Sequence, residues 1–228
     1  MVAPLSSLPD FDPRLVPVVG VDAHLPAVPA AAQTPEALRA RFAHPPRWEP
    51  EVLLEKKFMN REPAHASVLL AIMLREQPTV LLTERTAHLS THSGQVAFPG
   101  GRADPGDATP AATALREAQE EVGLAPEFVE VLGTLPTYVT GSSFIITPVV
   151  ALVRPGFTLQ PNPHEVDDVF EVPLDFLMDP LNHRRHAMEW NGEVREWYSM
   201  PYDDGRQERF IWGATAGMLR NFYHLLRA

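Results

Sequence analysis

Gly100-Gly-Arg-Ala-Asp-Pro-Gly-Asp107, and then Thr113-Ala-Leu-Arg-Glu-Ala-Gln-Glu-Glu-Val-Gly-Leu124, is the stretch on which the reading of this chain turns. The second part predicts a helix from about Pro110 to Val122. Thr109 is its N-cap, Pro110 its first residue and Gly123 its terminator. Residues three and four apart share a helical face, so Glu117, Glu120 and Glu121 are expected to project together. Like charges at that spacing destabilise a helix. Hard divalent cations take oxygen ligands and supply the missing positive charge. Arg116 stands four residues before Glu120, at a spacing that pairs the two. The Phe98-Pro-Gly-Gly101 loop removes side-chain bulk where backbone must approach the helix or a phosphate.

Outward from this segment the chain reads as strands. Ala66–Leu74 and Thr79–Thr83 are apolar runs joined at Glu76-Gln-Pro78, which predicts a hairpin. Val129–Leu135 and Ile145–Val153 have the same character. His186–Trp190 and Val194–Ser199, joined by Asn191-Gly192, carry the strongest local hairpin signal. A helix is expected from about Gly213 to Leu226, with Met218, Leu219, Phe222, Leu225 and Leu226 on its core face.

The first 50 residues hold ten of the 24 prolines. Proline lacks an N–H and fixes φ, so no long helix or central strand is expected there. Residues 1–33 read as a proline-rich arm. Its apolar Leu15, Val16, Val18 and Val19 suit packing along the domain or on a second subunit, as in a homodimer. Residues 34–228 read as the domain, opening with a short helix from Pro35 to about Phe42 capped by Thr34.

The 228 residues suffice for one large domain, or one domain with appendages. Cysteine is absent, which removes disulfides, thiolate metal sites and cysteine nucleophiles, and fits a cytoplasmic setting. A formal net charge of −10 argues against non-specific nucleic-acid binding, which needs basic residues on phosphates. It leaves open a small phosphorylated partner, because local cations and a metal can reverse the field within a site. No apolar run is long enough for a membrane helix, and the N-terminus lacks a signal-peptide pattern.

The acidic-helix segment resembles the Nudix box, G-x5-E-x7-R-E-U-x-E-E-x-G-U with U apolar, through Gly101, Arg116, Glu117, Ala118, Glu120, Glu121, Gly123 and Leu124. Asp107 stands where the first Glu is expected, and eight residues rather than seven separate it from Arg116. The resemblance implies an α/β/α sandwich with a mixed sheet, the box forming loop–helix–loop, and hydrolysis of a nucleoside diphosphate linked to another group. It makes Glu117, Glu120 and Glu121 ligands of Mg²⁺ or Mn²⁺, and Arg116 the residue that orients them. The ion would activate a water. Glu120, Glu121 or, from outside the box, Glu165 would take its proton.

The upstream stretch Leu81-Leu-Thr-Glu-Arg85, with Leu89 and Gly94-Gln-Val-Ala-Phe-Pro-Gly-Gly101, resembles the coenzyme A diphosphatase branch of that family, as do Glu165-Val166, Val169–Leu174 and Trp212–Ala216. This implies coenzyme A or its thioesters as substrate. ADP-ribose, a dinucleoside polyphosphate or a nucleoside triphosphate is the alternative, and a non-catalytic nucleotide-sensing module is a further one. Arg85 and Arg102, with Gly100 and Gly101, are the candidates for substrate phosphates, since Arg forks suit phosphate oxygens. His88 and His92 are secondary candidates. Tyr138, Phe144, Trp190 and Trp197 are the aromatics available to stack a base.

Overall fold

The computed structural model describes residues 12–57, 62–86, 94–190 and 192–228. In chain order these form β1 (Val18–Val21), α1 (Pro35–Ala43), β2 (Ala64–Met73), β3 (Thr79–Arg85), β4 (Val96–Ala97), β5 (Gly100–Arg102) and α2 (Pro110–Val122). There follow β6 (Val129–Thr134), β7 (Tyr138–Val139), β8 (Phe144–Val153), β9 (Val166–Pro173), α3 (Leu174–Leu177), β10 (Arg184–Trp190), β11 (Glu193–Asp203), β12 (Glu208–Trp212) and α4 (Gly213–Arg227). Among the described residues, no helix is long and apolar enough to cross a membrane.

The centre is β2 paired in parallel with β8, in unbroken register from Ala64↔Phe144 to Met73↔Val153. Their near-continuous apolar sequences follow from burial on both faces. Leu69, Ala71 and Met73, with Val149, Ala151 and Val153, pack under Ala114, Ala118 and Val122 of α2. The alternate residues Leu70, Ile72, Val150 and Leu152 meet Leu38 of α1, Leu219 and Phe222 of α4, and Met200 of β11. This is the mixed sheet between helices expected from the sequence. The core stripe on α4 is buried as expected.

The hairpin expected between β2 and β3 forms, but it is short. The two strands pair only at Ile72↔Val80 and Met73↔Thr79, and then part. The 96–102 segment enters the opening: β4 pairs with β3 through Thr83↔Ala97 and Glu84↔Val96, and β5 with β2 through Val68↔Gly100. Only glycine suits that approach, since a Cβ on Gly100 would lie 2.5 Å from the Ser67 carbonyl oxygen and 2.6 Å from Val68 Cα. The outer edge of β3 pairs along its length with β9, whose Asp167-Asp168 masked its strand character in the sequence.

A second, four-stranded sheet runs β1-β10-β11-β12. Trp190↔Glu193 closes β10 onto β11 with the two-residue loop expected there, and Gly192 takes φ 76°; Asn191 lies outside the described residues. In the arm, residues 12–33 pack along the domain. Val18–Val21 forms an edge strand on β10, and Val28 is buried. Leu15, Val18, Val19 and Val21 stay exposed.

Asp22 of the arm enters a buried polar cluster around Arg220 of α4. Arg220 reaches Asp22 at 2.9 Å, Glu51 at 2.7 Å and His183 Nδ1 at 3.1 Å. Burial alone would raise the Glu51 pKa; hydrogen bonds from His224, Tyr198 and Arg220 outweigh it and lower the pKa from 4.5 to about 2. A carboxylate depressed on folding stabilises the fold above its unfolded value and loses that contribution as pH falls through its folded value. Glu51→Gln is therefore expected to flatten the acid limb of stability between pH 4.5 and about 2, read by urea unfolding at stepped pH. An unchanged acid limb would remove Glu51 from this role.

Candidate active site

Helix α2 folds where the sequence places it. Thr109 Oγ1 accepts from the Ala112 N–H at 3.1 Å, Pro110 opens the helix, and Gly123 closes it at φ 70°. That left-handed position favours glycine. A Cβ there would also lie 2.9 Å from the Gln160 amide nitrogen, so the connection between β8 and β9 packs tightly against this helix end.

The three box glutamates do not share one environment. Successive residues turn by about 100° on a helix, so Glu117 and Glu121 point nearly together while Glu120 lies well off their direction. Glu121 is 3% exposed at its side chain, and Glu120 is 57% exposed. Glu117 packs against β5, where a Cβ on Gly101 would fall 2.5 Å from its Oε2. Among the described residues, no three acidic or histidine side chains stand close enough to ligate one ion as they are. Arg116 holds Glu117 and Glu120, each at 2.9 Å.

Arg116 is itself anchored by Asp107, which accepts from Nε at 3.2 Å and Nη2 at 2.9 Å, and by the Arg102 carbonyl. Asp107 thus does structural work at the position where the box pattern has Glu. The loop that carries Asp107 is closed by a turn, with the Asp107 N–H on the Asp104 carbonyl and the Asp104 N–H on Asp107 Oδ2. The Arg116 fork holds Asp107 well below the usual carboxylate range.

Glu121 is held from β5 and β3. Gly100 N–H donates to Oε2 at 2.9 Å, and Arg85 Nη1 approaches Oε1 at 3.3 Å. Burial pushes its pKa up to about 7; Gly100 and Arg85 pull it down, and the nearby Glu117 and Glu165 push it further up. Burial also raises Glu117, with Glu120 and Glu165 adding to it against Arg116. Glu165 therefore stands within electrostatic reach of the Glu117–Glu121 pair. Asn162, which the sequence reading passed over, fixes it: Nδ2 donates to Glu165 Oε1 at 3.0 Å, and the Glu165 and Val166 N–H groups donate to the Asn162 carbonyl. Asn162-Pro163 ahead of Glu165 is the turn signal that could have revealed it.

The remaining candidates divide. Arg85 lies at the site, engaged with Glu121. Gly100 spends its N–H on Glu121 and Gly101 makes room for Glu117, so both serve the carboxylates. Arg102 does not join them. Gly101 faces α2, and the pleat turns the next side chain to the opposite face of the sheet. There Arg102 lines a hollow of about 430 Å³ with Pro63, His65, Asp104 and Pro105. A hollow of about 390 Å³ lies near Trp48, Phe42 and Arg41. Neither includes a box glutamate. His88 and His92 lie outside the described residues. Tyr138 is buried with its hydroxyl on Glu55, and Trp197 stacks on His186, so both serve the scaffold.

The buried Glu121, whose carboxyl Glu117 and Glu165 both push up, stands in a patch of negative charge beside which a divalent cation would be favoured. The residues present fit such an ion.

The family model described as the NUDIX domain matches residues 63–209. The chain is 43% identical over 155 residues to the uncharacterized Nudix hydrolase NudL of Photorhabdus laumondii, covering 68% of this chain and 81% of the relative. It is 40% identical over 168 residues to NudL of an Enterobacter strain, covering 73% and 84%. Among solved structures, the Nudix hydrolase RenU of M. smegmatis is 29% identical, covers 50% of this chain and 72% of that one, and superposes with a TM-score of 0.40.

Proposed function

The chain belongs to the Nudix hydrolase family, and from that premise we propose that it cleaves the diphosphate linkage of coenzyme A or its thioesters. The products would be adenosine 3′,5′-bisphosphate and a 4′-phosphopantetheine moiety. The observation that carries the substrate choice is the identity of the strands around Glu121. Leu81–Arg85 and Gly94–Gly101, which carry the resemblance to the coenzyme A branch, supply Arg85 and the Gly100 amide to the buried carboxylate.

In this reading Glu117, Glu120 and Glu121 hold Mg²⁺ or Mn²⁺. When bound, the ion neutralises diphosphate charge, polarises a phosphoryl oxygen and lowers the pKa of a water. Arg116, anchored on Asp107, presents Glu117 and Glu120. Arg85 steadies Glu121 and offers positive charge to the substrate. Glu165, oriented by Asn162, takes a proton from the attacking water, whose oxygen joins one phosphorus as the bridging P–O bond breaks and the leaving phosphate departs. Arg102, on the far face, is left out of the reaction centre.

The test is a panel of coenzyme A, acetyl-coenzyme A, ADP-ribose, a dinucleoside tetraphosphate and ATP, each with Mg²⁺ or Mn²⁺ and with products identified by mass. Conversion of coenzyme A to adenosine 3′,5′-bisphosphate is expected. Turnover of ADP-ribose with coenzyme A left intact would overturn the substrate assignment.

Gly101→Ala tests the packing of Glu117. Its Cβ would meet the carboxylate at 2.5 Å and displace it. Activity is expected to fall by roughly 10–100-fold, the usual cost of disturbing the groups that hold a metal ligand. A variant of normal activity would show that Glu117 need not sit where it is.

A further inference from the structure

Strands β3 and β9 run in register from Thr79↔Pro173 to Glu84↔Asp168 and then slip, with Arg85 opposite Val166 and Asp167 left as the extra residue. A bulge bends its strand and re-aims the side chains next to it. The residues at this one are Arg85, which reaches Glu121, and Glu165, whose carbonyl accepts from the Thr86 N–H. Two groups of the site thus enter from a single irregular corner.

The last regular pair before the slip sets two carboxylates, Glu84 and Asp168, directly across from one another. Like charges so placed destabilise a sheet. Arg209, from β12 in the other sheet, offsets them. Its Nη1 donates to Glu84 at 2.8 Å, its Nη2 to Asp168, and its Nε to Asp204 at 2.6 Å. The guanidinium lies 4.3 Å from the centre of the Phe170 ring, and the side chain is 3% exposed. Asp204 is fixed in turn by the β11–β12 loop, since its Oδ1 accepts from the Arg206 and Gln207 N–H groups. A rigid turn of the small sheet therefore grips the bulged corner of the large one.

We infer that Arg209 is a positioning residue, locking the β3–β9 corner so that Arg85 and Glu165 are presented to the Glu117–Glu121 carboxylates. This rests on the reading of those carboxylates as a diphosphate hydrolase site. Arg209 binds Glu84, Asp168 and Asp204 rather than the α2 carboxylates. It acts through the two residues beyond the bulge.

The experiment is steady-state kinetics of Arg209→Gln with coenzyme A and saturating Mg²⁺, at a temperature where circular dichroism shows the variant folded. We expect kcat to fall about 10–100-fold while KM moves less than about threefold, as for loss of an interaction used in the chemical step. Arg209→Lys should recover little, because an ammonium cannot fork to three carboxylates. Asp168→Asn removes an exposed part of the grip at low risk to folding, and should lower kcat at least about threefold. If Arg209→Gln does not fold, this variant decides the question. In an Arg85→Gln background, the loss caused by either substitution should shrink by at least about threefold, since residues acting as one unit are not additive. Unchanged kcat in folded variants, or the same fold-loss in both backgrounds, would overturn the inference. Wild-type protein that turns over no diphosphate would instead sink the reading of the site itself.

Discussion

Glu121→Gln should leave a folded protein with kcat reduced by about 10²–10³-fold, the loss that follows removal of one preorganised charge-stabilising group. The substitution keeps shape and the acceptor oxygen that Gly100 N–H can use, and it removes the charge. Stability should not suffer much. Burial already raises the carboxyl to about pH 7, so the charged form is costly in the metal-free protein. A buried charge of that kind is a liability for the fold and an asset only to a ligand of opposite sign. The variant should therefore melt at or slightly above the wild-type temperature while losing turnover. Thermal melting beside kcat measurement reads both at once. A folded variant with near-normal kcat would remove Glu121 from the mechanism.

The largest expected effect on stability lies elsewhere. Arg220→Met should cost about 3 kcal/mol or more, because removing one partner of a buried ion pair leaves the other uncompensated. Arg220 is 2% exposed and its partner Asp22 is 6% exposed at the side chain. Among the described residues, Asp22 would keep the ion pair with Arg185, at 3.3 Å and half-exposed. His183 would suffer too. Burial lowers its pKa to about 4, so it is neutral near pH 7. Arginine can only donate, so Nδ1 accepts from Arg220 and Nε2–H donates to the Leu177 carbonyl. Met fills the volume but leaves Nδ1 without that donor. Asp22→Asn should recover part of the loss when combined with Arg220→Met, since it removes the stranded charge. Urea unfolding of the single and double variants measures this. A loss below about 1 kcal/mol for Arg220→Met would place the cluster with weakly contributing surface pairs.

What the sequence made legible was local. Helix α2, its Thr109 cap and its Gly123 stop were readable because capping and i,i+4 spacing involve neighbours in the chain. The Asn191-Gly192 hairpin was readable for the same reason. Strand character in β2 and β8 was plain, but the parallel pairing between them was not, since nothing in either run names its partner. The wedge of β4 and β5 between β2 and β3 turns on Gly100 meeting the Ser67 backbone, a contact visible only in three dimensions.

The site divided in the same way. The spacing on the acidic helix pointed to Glu117, Glu120 and Glu121. That Glu120 lies off the direction of the other two follows from helical geometry that a simple shared-face reading blurs. The engagement of Arg85 with Glu121, the role of Asp107 under Arg116, and the Arg209 grip depend on side chains brought together from distant segments. Arg102 sits close to the box in sequence and on the other side of the sheet in space, because one residue reverses the pleat.

The most direct measurement is Mn²⁺ titration of the purified protein, with free ion followed by electron paramagnetic resonance, for wild type, Glu121→Gln and Glu120→Gln. Saturable binding by wild type is expected, weakened about 10-fold or more in Glu121→Gln, as loss of a charged ligand requires. Equal Mn²⁺ affinity in wild type and Glu121→Gln would contradict the assignment of the α2 carboxylates as the metal-holding centre.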